Sequence, residues 1–323
     1  MLRSKVVIRS TKDANLNAVV EDILNACGWE SIVLPNSKVV IKPNLNSPYR
    51  EHIERGANTS LELISAVCFV LQQRTSSIVV GDSDGTRFSS NDVVAAMGLD
   101  RLASDLGVKL VNFSHQRTRS VGHHLLNGFE LPEMVLDADV LITLPVLKTH
   151  ALTVFTGAVK NQWGCITRYD RILLHKYLDI LLADINQILR PRLAIMDAIT
   201  AMEGRGPCNG NPRRLDLLIG STDIVALDAT AMRLVGIDPY QARHLVLASQ
   251  KGLGQIDADK IEIDGDFEKH RTRFEPAHLD WAVGAMNYMS RYRWFTYNIL
   301  LPDSIFQPMR RSVRVLRRIG VVR

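Results

Sequence analysis

The chain has 323 residues, 46% of them apolar and 23% charged, which excludes a collagen-like, mucin-like or wholly disordered chain and leaves room for one large or two modest domains. No stretch reaches the roughly 18 uninterrupted apolar residues of a membrane-spanning helix, and Met1-Leu2-Arg3-Ser4-Lys5 runs into a strand-like stretch instead of a signal-peptide core, so the expected compartment is the cytosol. The net charge of +5 is uneven: residues 285–323 hold eight arginines against Asp303 and carry +7, leaving −2 on the 284 residues before them.

In chain order, short β-branched runs predict strands at 5–9, 38–42, 77–81, 108–112, 140–144, 193–197, 215–220 and 260–264. Helix-period stretches predict helices at 15–27, 61–73, 171–189, 223–235 and 240–251, the last preceded by Asp238-Pro239 and stopped by Gly252. Several strands are near-continuous apolar runs, which suits strands covered on both faces. The expected fold class is therefore α/β, a mostly parallel sheet with helices on both faces, plus a basic aromatic C-terminal extension. The expected division is a core of residues 1–264, in one lobe or two, and an extension of residues 265–323.

In such sheets ligands collect beyond the carboxyl ends of the strands. That rule selects Lys42-Pro43-Asn44, Gly81-Asp82-Ser83-Asp84-Gly85-Thr86, residues 145–161, residues 197–210 and Ser221-Thr222-Asp223. Leu147-Lys148-Thr149-His150, continued by Thr156-Gly157-Ala158-Val159-Lys160-Asn161-Gln162-Trp163-Gly164, places two lysines, a histidine and an asparagine just past an apolar strand. Paired lysines there suit a carboxylate or phosphate, with Thr156-Gly157 allowing close backbone approach. The alternative is that both lysines are solvated and His150 packs on the sheet edge.

Asp197 closes one strand and Glu203 precedes the Gly-rich turn Gly204-Arg205-Gly206-Pro207-Cys208-Asn209-Gly210; the two acids hold a hard cation or trade a proton, or else Asp197 caps the turn and Glu203 is exposed. Ser221 or Thr222 reads as an N-cap with Asp223 in the first turn, which leaves Asp228 the less easily explained acid. Gly81-Asp82-Ser83-Asp84-Gly85 carries two acids that repel phosphate, so a ribose hydroxyl, a cation or an Asx turn fits it better. His123-His124 lack metal-ligand spacing and read as structural, whereas His175, near Arg168 and Arg171, is placed to point back at the pocket. The four cysteines (Cys27, Cys68, Cys165, Cys208) form no Cys-x-x-Cys pair and read as reduced thiols; Cys165 and Cys208 sit in glycine-containing loops, as packing residues or nucleophiles. Nucleotide-binding P-loop, dinucleotide, esterase-elbow and zinc-protease signatures are absent from the sequence.

Lys148-Thr149-His150, Thr156 through Gly164, His175, Asp197-Ala198-Ile199 with Met202 through Pro207, Asp223 through Ala229 and Gly252-Leu253-Gly254 occur in the order seen in the domain-of-unknown-function family 362. Val40-Ile41-Lys42-Pro43-Asn44-Leu45 and Gly81-Asp82-Ser83 match its amino-terminal half, so the chain from about Val40 to Gly254 resembles that family. The resemblance implies an α/β enzyme-like core, often fused to a ferredoxin-type module with two 4Fe–4S clusters. No Cys-x-x-Cys-x-x-Cys run follows Gly254, so no built-in Fe–S cluster is expected here, and a separate electron-transfer partner stays open. More distantly, Lys42-Pro43-Asn44 and Gly157-Ala158-Val159-Lys160 are similar to the layout of lactate racemase relatives that use a nickel-pincer nucleotide.

The expected function is an enzyme of oxidoreductase or isomerase type that binds a small anionic substrate or nucleotide-like cofactor at the strand carboxyl ends. Lys42, Lys148 and Lys160 neutralise the anion, with Asn44, Asp82, Thr156, Gly157 and Asn161 around it. His150 moves a proton, Lys148 and Glu203 serve acid/base chemistry, and Asp197 and Asp228 hold a divalent metal. The second reading is a non-catalytic ligand-binding module, peripheral to a membrane or docked on an acidic partner through the tail. There Tyr288, Tyr292, Trp294, Phe295, Tyr297 and Phe306 lie among arginines. No nucleic acid is expected, since the body is slightly acidic.

Overall fold

Period-two burial organises the molecule. In a computed structural model describing residues 3–123, 126–277 and 281–302, Val39 and Ile41 join one hydrophobic core while Val40 between them joins the other. Val140, Ile142 and Leu144 likewise face the first core and Leu141 the second. These residues alternate across the strand because successive side chains leave a pleated backbone on opposite sides.

The strands are β1 (Ser4–Ser10), β2 (Val39–Pro43), β3 (Ile78–Asp82), β4 (Lys109–Asn112), β5 (Thr118–His123), β6 (Leu126–Pro132), β7 (Val140–Leu144), β8 (Val146–His150), β9 (Val154–Phe155), β10 (Leu193–Glu203), β11 (Asn211–Ser221) and β12 (Ile261–Asp264). Their order in the main sheet is β12-β1-β11-β10-β7-β2-β3-β4, with β8 joining β10 and β9 joining β8, while β5 and β6 form a separate antiparallel hairpin. The pairs from β10 to β4 are parallel, as is β1 with β12, whereas β11 runs antiparallel to both β1 and β10. The fold is α/β with a mostly parallel, mixed sheet.

Helices Leu16–Ala26 and Leu61–Leu71 cover the face of Val39 and Ile41, and helices Leu178–Leu189, Ile224–Leu234 and Arg243–Gln250 cover the other. The chain leaving β2 therefore crosses one face, and the chain leaving β7 crosses the opposite one. β2 and β7 are parallel neighbours, from Val39↔Val140 to Pro43↔Leu144. Divergence of the two connections opens a crevice at their carboxyl ends, the place where an open α/β sheet takes ligands.

Three expected boundaries move. Residues 145–161, read as a loop, contain β8 and β9 and the short helix Ala158–Asn161. β10 does not stop at Asp197 but runs on to Glu203 past an irregularity between Ala198 and Thr200, and its partner β11 begins at Asn211. The helix expected from 171 begins as a 3-10 turn, Arg171–Tyr177, and becomes α-helical at Leu178. Beyond β12, Thr272 and Phe274 donate backbone bonds to Leu234 and Val235, and Phe274 is buried in the second core. His124 and the tail from 303 onward lie outside the described residues, as do the surroundings of the His123 side chain.

Candidate anion site at the sheet crevice

Lys42 is the last residue but one of β2 and Asp82 ends β3, two strands in parallel register, so their side chains meet at the carboxyl end of the sheet. Lys42 Nζ lies 2.7 Å from Asp82 Oδ2 and donates to the Pro43 carbonyl at 2.8 Å. The carboxylate also accepts from the Leu45 and Ser83 amides. Both side chains are nearly inaccessible, at 1% and 6%. The pair is thus mutually neutralised. Gly164 lies on top of it, where a Cβ would press on Asp82 Oδ1 and come within 2.6 Å of Lys42 Nζ.

A cavity of about 90 Å³ opens beside the pair, bounded by Asn44, Thr156, Lys160, Asn161, Trp163 and Arg171. Helix Ala158–Asn161 places two of these residues. Its first amides, from Ala158 and Val159, donate to Asp228 Oδ1 and Oδ2 at 2.7 and 2.9 Å. Gly157 precedes it without a side chain because a Cβ there would overlap that carboxylate. Asn161, anchored by its amide to the Lys42 carbonyl (3.0 Å) and Thr143 Oγ1 (2.8 Å), fixes the far end. Lys160 projects into the cavity and, among the described residues, its ammonium makes no hydrogen bond or ion pair. Burial brings Lys160 down to about 8, helped by Arg171 and Lys42 and opposed by Cys208.

Two further groups aim at the same space. Thr156 Oγ1 is buried and, among the described residues, without a hydrogen-bond partner, an arrangement that costs free energy until something pairs with it. Arg171, which donates to the Ile166 carbonyl at 2.8 Å, is buried, and that burial lowers its pKa against the pull of Asp82, Cys165 and Asp84. Lys42, Lys160 and Arg171 thus face the cavity against the single carboxylate of Asp82. The sequence reading missed Arg171 as a site residue. The available signal was an arginine opening the apolar run Ile172-Leu173-Leu174.

Lys148 is not past the strand end but inside β8, fully buried, so the solvated alternative fails for it. Its Nζ donates to the Ala57 carbonyl at 2.8 Å, which also receives Asn44 Nδ2 at 2.7 Å. Burial, with Lys160 adding to it, brings Lys148 down to about 7, opposed by Cys208 and Asp197. His150 is buried too, and its Nδ1 accepts from the Leu152 and Thr153 amides at 3.1 and 3.2 Å, leaving the ring proton on Nε2. Burial, then Lys160, His175 and Lys148, hold its pKa well below the usual histidine range. It is held as a neutral N–H donor. His175 packs on Trp163, with ring centroids 5.9 Å apart, and its pKa is pushed down to about 4 by burial.

The three acids do not assemble. Asp197 accepts from Ser60 N (2.8 Å), Ser60 Oγ (2.6 Å) and Ile199 N (3.1 Å), and burial raises its pKa. Glu203 is buried, not exposed, pairing with Arg213 at 3.3 Å and accepting from the Glu275 amide at 3.0 Å. Asp228 is occupied at the helix start. Among the described residues no three His, Cys, Asp or Glu side chains are placed to hold a metal ion; Asp197 and Asp228, expected to hold a cation, each accept from backbone amides. Asp223 is itself the N-cap of helix Ile224–Leu234, accepting from Val225 and Ala226. Burial pushes the Cys165 thiol up to about 12, which makes it a packing residue, whereas half-buried Cys208 accepts from Asn46 Nδ2 at 3.1 Å. Asp197 lines a second cavity, of about 530 Å³, with Gly56, Asn58, Thr59, Ser60 and Glu62.

The family model described as Domain of unknown function (DUF362) matches residues 39–233, which include every wall of the smaller cavity. The chain belongs to this family. A relative from Synechocystis sp. (strain ATCC 27184 / PCC 6803 / Kazusa), named thylakoid-associated protein sll1697, is 31% identical over 264 residues that span 79% of this chain and 78% of that protein. Among solved structures, the lactate racemase apoprotein from Thermoanaerobacterium thermosaccharolyticum is similar with a TM-score of 0.47 and 10% identity, over 69% of this chain and 55% of that one. A crystallised protein from Thermotoga maritima is similar with a TM-score of 0.37 and 14% identity, over 73% of this chain and 57% of that one. The DUF362 chain described here thus spans little more than half the length of either solved structure.

Proposed function

We propose that this protein binds a small anion, or the anionic group of a nucleotide-like cofactor, in the crevice between Lys160, Arg171 and Thr156. One observation carries the reading: an ammonium and a buried hydroxyl that have no hydrogen-bond or ion-pair partner among the described residues converge with a buried guanidinium on one small space. In a site shielded from water each is worth more to an anion than it would be at the surface. A volume of about 90 Å³ suits one carboxylate- or phosphate-sized group and falls short of the 300–1,000 Å³ of whole-ligand pockets. Lys42 holds Asp82 and, with Asn44 and Asn161, shapes the wall. Acid/base or redox chemistry on the bound group is the enzymatic form of the proposal. Lys148, bonded to the Ala57 carbonyl that also holds Asn44 of the cavity wall and brought down to about 7 by burial, is the group behind that wall proposed to exchange a proton in this form.

Calorimetric titration of sulfate, inorganic phosphate, adenosine monophosphate and lactate into the protein and into Lys160→Ala tests it. At least one of these ligands is expected to bind, with about tenfold or greater loss in the variant; equal affinity removes the assignment. Native mass spectrometry with elemental analysis of fresh protein reports any copurified cofactor or metal. The expected placement is cytoplasmic and peripheral to a membrane. It is supported by the name of the thylakoid-associated relative and by the finding that no helix among the described residues is long and apolar enough to cross a bilayer.

A further inference from the structure

Residues 284–302 hold large rings out into solvent. Trp294 is 69% exposed, Tyr288 and Tyr292 are each 53% exposed and Met289 is 39% exposed. The exposure belongs to a segment that is fixed in place. Ser290, Thr296 and Leu300 are buried, Asn287 Oδ1 lies 3.3 Å from His175 Nδ1, and the Tyr297 hydroxyl bonds Asp170. The exposed rings are ordered among themselves: Tyr288 and Tyr292 meet edge-on at 6.0 Å, and the Arg291 and Arg293 guanidinium groups lie 5.3 and 5.9 Å from the rings of Tyr288 and Tyr297. No carboxylate occurs from 285 to 302, and the sequence beyond adds six arginines against Asp303.

We infer that Tyr288, Met289, Arg291, Tyr292 and Trp294 form a docking surface for a bilayer containing anionic lipid. Indole and phenol rings settle at the headgroup level, apolar edge inward and polar atom outward, while guanidinium groups meet lipid phosphates. The absence of carboxylates matches a surface whose partner presents only negative charge. A bilayer with anionic lipid supplies the negative charge and the apolar layer for Trp294 and Met289 together. The inference rests on the peripheral placement proposed above and names the surface that achieves it; the anion cavity is independent of it.

Sedimentation of the full chain with vesicles of phosphatidylcholine, with and without phosphatidylglycerol, tests the surface. Co-sedimentation is expected only when phosphatidylglycerol is present, weakening in high salt and falling about tenfold or more in the Tyr292→Ser, Trp294→Ser pair. Because both side chains are exposed, the unfolding midpoint of the pair should match that of the parent. Brominated lipid in the anionic vesicles should quench indole fluorescence of the unaltered protein, and Trp294→Phe should remove the quenched component. Absence of quenching, equal binding to pure phosphatidylcholine, or binding to polyglutamate but not to vesicles overturns the surface. If the chain fractionates with cell membranes yet ignores anionic vesicles, the surface falls while the peripheral placement stands. If sulfate and the other anions fail to bind but vesicles succeed, only the cavity assignment falls.

Discussion

Lys42 and Asp82 form an ion pair of 2.7 Å almost sealed from water, at the adjoining ends of two parallel strands. Removing one partner leaves the other charged and buried. Asp82→Ala is therefore expected to cost about 3–5 kcal/mol, whereas a paired Lys42→Met, Asp82→Leu change recovers most of that loss. Urea unfolding of the three proteins measures it, and a single substitution as mild as the double one would contradict the pairing.

Gly164 supplies a sharper probe because it alters space and leaves every charge in place. Gly164→Ala pushes a methyl group against Asp82 and Lys42, an overpacking expected to cost about 1–3 kcal/mol. Sulfate affinity should fall with it, since the cavity wall moves. Parent-like values for both quantities would mean that the pair gives way without strain.

Anion binding should follow the proton on Lys160. With that group brought down to about 8, the charged form predominates below this pH and disappears above it. Affinity for sulfate, whose own charge is constant over the range, is expected to be flat at lower pH and to drop by up to about tenfold per unit above 8. Titrations at a series of pH values would falsify the assignment if Lys160→Met kept the same profile.

Lys148 gives a stability signature of defined sign. Its pKa falls from 10.5 in the unfolded chain to about 7 in the fold, so between those values the unfolded state holds the extra proton. Stability from this group is fully present above 10.5 and is lost as pH falls towards 7, with a slope of at most about 1.4 kcal/mol per pH unit. Lys148→Met should flatten that part of the curve, as read by denaturant unfolding between pH 7 and the upper limit of reversibility. An unaltered slope would place the titrating group elsewhere.

Asp228 acts on the site through the backbone. Asp228→Ala leaves the Ala158 and Val159 amides unpaired, about 1–3 kcal/mol each when buried, and releases the short helix that aims Lys160. Weaker sulfate binding with an unchanged pH midpoint is the expected pattern of a positioning residue. A shifted midpoint would instead indicate a direct charge effect on Lys160.

The sheet was legible because its strands are continuous apolar runs between polar turns: 38–42, 77–81 and 140–144 were each expected within one residue of where they form. β8 was hidden by Pro145. A proline directly after an apolar run reads as the end of a strand, yet the Pro145 carbonyl accepts from Asp197, and the chain resumes alongside β10. The lysines of the candidate anion site were found by their company, but their states were not. Nothing local reports that Asp82, forty residues on, neutralises Lys42, or that Lys148 falls inside a strand covered on both sides. Asp228 looked unexplained for the same reason: its partners are amides some seventy residues earlier in the chain.

The Ala57 carbonyl, gripped at once by Lys148 and Asn44, stands in a party wall. Gly56, Asn58 and Thr59 face the roomier hollow on one side, and Asn44 faces the cramped one on the other. An occupant that displaced this stretch from either room would lean on the same peptide.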